Sequence, residues 1–307
     1  MRTRFAAALI AAALLAFGSC CLAAPLRVVA ATADLAALAR AIGGDALSVE
    51  TIVPPAVDPE AFEPRPGDLS RMRGAGLVVR VGLGYDFWLD RLIAQNGDAR
   101  LMRGGAGYVD ASAGIPLLEV RGQGLANNGG HSHGAANPHY WLDPHNATII
   151  TAGIAEALVR LLPEQSERIV AGRERFLSEL AVRLEGWTML AAGIAGARLV
   201  AFHNTWPYFA RRFRLDVVDF IEPKPGVAPS PAHLAGLIAR ARDAKVRAVL
   251  HEPYEPPDAS RFLAEKLGIP LVVLATSVGS LPQTEDYLQL IDHDVTTLVR
   301  ALATPAK

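Results

Sequence analysis

The sequence predicts an α/β protein of two lobes, each with a parallel sheet flanked by helices, joined by one long rigid connecting helix. Short β-rich runs alternate with helical patterns in both halves of the chain, which is typical of parallel α/β units. A long stretch without strand signal separates the halves, and 307 residues are enough for two domains of ordinary size. We therefore divide the chain into a signal peptide at 1–24, an N-terminal lobe at 25–146, connecting helices at 147–192 and a C-terminal lobe at 193–307.

Each half has its own series of predicted strands and helices. In the first half, the predicted elements are strands at 26–30, 47–53 and 76–81 and a helix at 32–42. In the second half, they are strands at 197–202, 216–221, 248–251 and 271–275 and helices at 232–244, 257–267 and 285–302. The recurrence of βα units in both halves favours one parallel sheet in each lobe.

The stretch between the halves is helical throughout. The residues at 147–162 have a helical pattern, Pro163 interrupts it, and the pattern continues over 164–190 with alternating charge and leucine spacing. About 27 helical residues span roughly 40 Å at 1.5 Å each, which is long enough to join two lobes. The alternative is an ordinary pair of surface helices within one domain.

The N-terminus has the pattern of a secretory signal peptide. Arg2 and Arg4 precede an uncharged apolar run at 5–17, and small residues follow up to Ala24. The run is too short to span a bilayer, which needs roughly 20 apolar residues. We therefore expect export to the periplasm. Lipid attachment at Cys20 is a weaker alternative, and a buried N-terminal helix is weaker still.

Cysteine usage and charge restrict the chemistry. Because Cys20 and Cys21 lie in or beside the signal peptide, any site for a transition metal must use histidine and carboxylate ligands. Removal of Arg2 and Arg4 leaves 28 Lys and Arg against 31 Asp and Glu, a net charge of −3. This charge balance does not favour nucleic-acid binding. We also expect the protein to be a monomer.

Polar side chains follow several predicted strands, at the edge where ligands of parallel α/β sheets collect. They are His203 after 197–202, His251 and Glu252 at the end of 248–251, Thr276 and Ser277 after 271–275, and Asp58 and Glu60 in the loop after 47–53. His139 lies in the stretch NPHYWLDP. Imidazoles and a carboxylate in one cleft suit zinc or manganese. Taken singly, each histidine could be a hydrogen-bonded core residue, and Glu60 a solvated loop charge.

Several longer stretches carry a family resemblance. They are DPEAFEPRPGDLSRMRGAGLVVRVGLGYDFWLD, NPHYWLDPHNA, AFHNTWPYFARRF, IEPKPGVAPSPAHL and EDYLQLIDHDVTTLV. In this order they resemble the metal-specific solute-binding proteins of ABC transporters, the class that delivers zinc or manganese. The resemblance covers almost the whole mature chain, and it implies two α/β lobes bridged by one long helix.

The resemblance implies metal ligands at some positions and departs from the family pattern at others. His139 and His203 match family histidines, whereas Glu60 stands where the family usually has histidine. A late aspartate of the family is replaced by Thr276 and Ser277. We take Glu252 as a candidate fourth ligand from its strand-end position, with water as the alternative. His251 is expected to point to the opposite face.

These observations predict a binding protein that is not an enzyme. It would capture a divalent metal, Zn²⁺ first and Mn²⁺ as the alternative, and deliver it to the permease and ATPase of an ABC transporter. His131 and His133 in the loop at 121–136 would collect metal or serve as part of a passive linker. A zinc hydrolase is a rival, but no H-E-x-x-H run occurs and Pro253 follows Glu252. A metal chaperone or adhesin with the same fold is another alternative.

Overall fold

The structure is a computed structural model, and it describes residues 24–120 and 135–303. The first half of the chain forms β1 (Leu26–Ala30), α1 (Ala33–Gly43), β2 (Leu47–Thr51), α2 (Pro66–Met72), β3 (Leu77–Arg80), α3 (Trp88–Asn96) and β4 (Tyr108–Asp110). The four strands form one parallel sheet in the order β2-β1-β3-β4. Its central strands β1 and β3 are mainly apolar, as expected where helices cover both faces of a parallel sheet.

Two helices follow the first sheet and lead to a second one. The connecting helices are α4 (Ala147–Leu161) and α5 (Ser166–Ala191). The second half forms β5 (Arg198–Ala201), α6 (Pro207–Phe213), β6 (Asp216–Phe220), α7 (Pro231–Asp243), β7 (Ala248–His251), α8 (Asp258–Leu267), β8 (Leu271–Val273) and α9 (Tyr287–Ala303). The second sheet is also parallel, in the order β6-β5-β7-β8, so both sheets share one strand order.

The observed architecture confirms the predicted fold class. Every predicted strand is present, with ends that differ from the prediction by at most two residues. The strand β4 was not predicted from the sequence. It has three residues and lies at the edge of the first sheet, and so short a run shows no periodicity. Within the described residues, no helix is both long and apolar enough to cross a bilayer.

The predicted lobe boundaries stay a prediction. One continuous hydrophobic core contains residues of both halves, including Val28 in β1, Leu199 in β5 and Leu298 in α9. A second, smaller core lies within the second half around Val249 and Leu263. The two sheets are therefore separate, but apolar packing joins the halves.

The long helix α5 contributes much of that packing. Its 26 residues span about 39 Å, and its buried side chains recur at helical spacing along one face. Arg168 near its start pairs with Asp45 of the first half at 3.1 Å. Near its end, the indole Nε1 of Trp187 donates a 3.0 Å hydrogen bond to Asp292 in α9. The helix thus contacts both halves of the molecule.

Gly172 permits the close approach of α5 to α1. A β-carbon at this position would lie 2.1 Å from the carbonyl oxygen of Ile42, a distance that no real contact shows. The obstacle is backbone, so a side chain cannot be accommodated by rotation of a neighbour. Gly186 lies in the same helix, is exposed, and has no atom within 4 Å of the corresponding position.

We predict opposite effects for alanine at these two glycines. Gly172→Ala should lower the free energy of unfolding by about 1–3 kcal/mol, because the two helices must separate. Gly186→Ala, the matched control, should raise it by up to about 1 kcal/mol through the better helix propensity of alanine. Urea unfolding followed by circular dichroism measures both. Equal stability of the two variants would contradict this account of the α1–α5 contact.

Candidate metal centre

Three ligand atoms from distant parts of the chain meet in the cleft between the two sheets. Glu60, His139 and His203 each place one such atom within 4.8 Å of the others. The Nε2 atoms of His139 and His203 lie 3.5 Å and 3.8 Å from Oε1 of Glu60. Both histidines are buried, and the glutamate side chain is 25% exposed. Three of the four predicted ligands therefore come together.

The loop between β2 and α2 positions Glu60. The backbone N–H of Glu60 donates a 2.8 Å hydrogen bond to Asp58, and the indole of Trp88 donates to the carbonyl of Pro59 at 3.1 Å. The Phe62 ring packs edge-on against Trp88, with ring centroids 4.9 Å apart. These contacts on both sides of Glu60 fix a loop that has no secondary structure of its own.

Aromatic side chains and one amide orient His139. Its ring lies 5.3 Å from that of Tyr85 and 5.4 Å from that of Trp141. Its Nδ1 lies 3.1 Å from Oδ1 of Asn137, which also accepts the backbone N–H of His139. If Nδ1 carries the proton and donates to this oxygen, Nε2 is left with a lone pair toward Glu60 and His203.

His203 follows β5 and is held by Glu222, which follows β6. Nδ1 of His203 lies 2.6 Å from Oε2 of Glu222, and both side chains are buried. The other carboxylate oxygen of Glu222 accepts the backbone N–H of Gly226. A carboxylate that accepts from one imidazole nitrogen fixes the tautomer in which the other nitrogen binds metal.

The charges around His203 favour its protonated form. Burial alone lowers the pKa of His203, but hydrogen bonds to Glu222 and Glu60 and the charges of Glu60 and Glu252 outweigh burial. The resulting pKa is about 10. A metal ion binds only neutral imidazole, so metal binding near neutral pH must release this proton.

Glu252, the fourth predicted ligand, does not lie with the other three. It is absent from the group of described residues whose ligand atoms meet within 4.8 Å. Its Oε1 accepts a 2.8 Å hydrogen bond from the indole of Trp206, and complete burial raises the pKa of Glu252 to about 7. Glu252 thus holds Trp206, whose segment follows His203, and its role as a metal ligand stays a prediction.

The remaining strand-end residues lie outside the group. His251 contacts the hydroxyl of Ser260 at 2.9 Å and the carbonyl of Glu255 at 3.2 Å, so it faces away from the centre as expected. The carbonyl of Thr276 accepts the indole N–H of Trp141, and the hydroxyl of Ser277 donates to Asp34. The histidines of the 121–136 loop, His131 and His133, and the signal peptide up to residue 23 with Cys20 lie outside the described residues.

Sequence reasoning missed Glu222. The signal was available, because Glu222 comes two residues after β6 and so obeys the same carboxyl-end rule that selected His203. Glu222 was quoted only within the stretch IEPKPGVAPSPAHL, without a role of its own, and the structure buries it at 4% exposure.

Comparison with known proteins agrees with this fold. Residues 28–301 match the family described as ZnuA, zinc-uptake complex component A, periplasmic. The chain belongs to this family. The relatives found in this comparison are substrate-binding proteins of metal ABC transporters. The predictions of family, fold and non-enzymatic role are therefore confirmed.

Individual relatives carry both zinc and manganese names. The chain is 25% identical over 284 residues to the manganese-binding lipoprotein MntA of Halalkalibacterium halodurans, covering 91% of this chain and 89% of that protein. It is 25% identical over 254 residues to the high-affinity zinc uptake system protein ZnuA of Yersinia pestis, covering 78% and 79%. A crystal structure of a ZnuA deletion mutant with zinc bound superposes with a TM-score of 0.76 at 25% identity, covering 92% of this chain and 99% of that one. The ZnuA family therefore gives a divalent metal as the substrate and an extracytoplasmic location.

We predict that loss of Glu222 weakens metal binding without unfolding the protein. Glu222→Gln keeps an acceptor for His203 but removes the charge, and should weaken zinc affinity by about tenfold. Glu222→Leu should cost between about 10- and 100-fold, the usual effect of losing such a partner. The matched control is Glu179→Gln, an exposed glutamate of α5 that pairs with Arg183. Competition with a fluorescent zinc chelator measures the affinities, and unchanged values for both Glu222 variants would contradict the assignment.

Proposed function

We propose that the protein captures zinc outside the cytoplasm with Glu60, His139 and His203 and delivers it to the permease and ATPase of an ABC importer. The observation that carries this proposal is the convergence of two imidazoles and one carboxylate within 4.8 Å. The three residues come from segments far apart in the chain, and their donor atoms are of the kinds that zinc accepts. The family assignment supports transport as the purpose of that binding.

The donor set favours zinc over manganese. Imidazole nitrogens suit zinc well, and zinc exceeds manganese in the general affinity order of divalent metals. The carboxylate of Glu60 reduces the preference for zinc over manganese, since oxygen is a harder donor that manganese also accepts. Zinc is therefore the proposed substrate and manganese the alternative.

The loop histidines keep the role that the sequence analysis gave them. His131 and His133 would collect metal at low affinity and pass it to the buried centre, or form part of a passive linker. Binding by the mature protein as a monomer is part of the same proposal. A chaperone or adhesin role is the alternative to delivery, and binding to the isolated transporter membranes separates the two.

We predict that both histidines are required for tight binding. His139→Ala and His203→Ala should each weaken zinc affinity by at least about tenfold, or about 1.4 kcal/mol, because each removes one ligand. His145→Ala is the matched control, since His145 is exposed and lies on the same segment as His139. Isothermal titration calorimetry with zinc measures all three. Wild-type affinity in both ligand variants would refute the ligand set.

A second prediction concerns the choice between metals at Glu60. Glu60→His replaces a hard oxygen donor with a nitrogen donor, so the preference for zinc over manganese should increase by about tenfold. Glu60→Ala should weaken both metals, by about 10- to 100-fold if a water bridges Glu60 to the ion. Competition titrations of the two metals on wild type and both variants provide the measurement. Identical zinc-to-manganese ratios in the three proteins would remove Glu60 from the site.

A further inference from the structure

A cavity much larger than a metal ion adjoins the centre. Its volume is about 780 Å³, and Glu60 and His203 form part of its wall. A bound zinc ion lies about 2.0–2.2 Å from its nitrogen and oxygen donors, so it needs no more room than one water molecule, about 30 Å³. Pockets for organic ligands measure about 300–1,000 Å³. The cavity therefore has the size of a site for a small organic molecule.

One side of the cavity is apolar and aromatic. Phe202 and Leu234 line it, together with Val227 and Phe262, which are 48% and 41% exposed. Large apolar side chains left partly open to solvent beside a pocket are typical of a ligand groove. The ring of Phe262 makes a cation–π contact with Lys266, whose ammonium nitrogen lies 5.5 Å from the ring centroid. A flat apolar molecule would find both packing area and an aromatic partner here.

The rest of the wall is acidic. Asp58, Glu222, Glu255 and Asp258 line the cavity in addition to Glu60. Among the described residues that line it, none is lysine or arginine. Such a wall attracts a ligand of net positive charge and disfavours one that carries several carboxylates.

The centre and the cavity share two residues. His203 and Glu60 contact both, so a donor atom of a molecule in the cavity would be within reach of an ion held by the three ligands. Zinc is usually four-coordinate in proteins but expands its coordination when a further ligand binds, so the three protein ligands leave room for more than one donor of such a molecule. Within the described residues, the group whose ligand atoms meet within 4.8 Å has three members, and Glu252 is not one of them.

We propose that the cavity binds a small organic chelator together with the metal. The chelator would have nitrogen donors and a flat apolar body, and its zinc complex would carry net positive charge. The protein would then take up the metal as a ternary complex in which the chelator completes the coordination. This inference rests on the proposed function, because the chelator is held partly through the metal that Glu60, His139 and His203 bind.

Two tridentate zinc complexes test the inference on the mature wild-type protein. Zinc–terpyridine is flat, apolar and doubly positive, whereas zinc–iminodiacetate is small, polar and neutral. Native mass spectrometry should show one protein, one zinc and one terpyridine, but protein and zinc alone with iminodiacetate. Calorimetry with zinc and with each complex gives the affinities.

Variants of the cavity wall supply the control. Phe262→Ala should weaken zinc–terpyridine binding by about tenfold through lost apolar contact, and leave affinity for zinc alone unchanged. Glu255→Gln should also weaken binding of the positive complex, independently of the aromatic contact. Phe87→Ala is the matched control, since Phe87 is 65% exposed and lies outside the cavity wall.

The outcomes separate this inference from the proposed function. If wild type does not bind zinc alone, the proposed function fails. If it binds zinc but forms no ternary complex with terpyridine, the chelator inference is overturned and the proposed function stands. Equal zinc–terpyridine affinity in wild type, Phe262→Ala and Glu255→Gln would also overturn the inference.

Discussion

The close approach of Glu60 to two buried histidines is the interaction on which the rest of the structure depends. Bringing a carboxylate and two imidazoles out of water costs free energy unless each finds a partner. The structure provides hydrogen bonds and ion pairs as partners, such as the 2.6 Å contact of His203 with Glu222 and the 3.5 Å contact of His139 with Glu60. A divalent cation would replace a proton as the positive charge between them, so the same burial that raises the cost also strengthens the metal's attraction.

The segment 137–143 shows how the fold holds its part of that centre. The side-chain nitrogen of Asn137 donates to the carbonyl of Asn204 at 2.9 Å, and the indole of Trp141 donates to the carbonyl of Thr276 at 3.0 Å. Asp143, fully buried, pairs with Arg212 at 2.6 Å. His139 thus belongs to the first half of the chain, yet the second half fixes its segment at three points. Metal release must disturb these contacts or the loop that carries Glu60.

The long helix limits how far the halves can move. It packs against α1 through the close contact at Gly172 and against α9 through Trp187. A rigid element fixed at both ends resists the large hinge rotations that flexible linkers allow. Under the proposed function, small displacements of loops are then the route for metal entry and exit, and Glu60 has the most exposed side chain of the three proposed ligands.

The sequence by itself determined the fold class, the connecting helix and three of the residues at the centre. Strand periodicity and the carboxyl-end rule depend only on local order along the chain, so they located β5, β7 and the residues that follow them. The family resemblance selected His139, which lies on no strand. Local patterns could not decide whether Glu252 or Glu222 faces His203, since both follow strands of the same sheet. That choice depends on contacts between segments that are not adjacent in sequence, namely the hydrogen bond of Trp206 to Glu252 and that of His203 to Glu222. The cavity was equally beyond the sequence, because its walls come from four loops and two helices that only tertiary packing brings together.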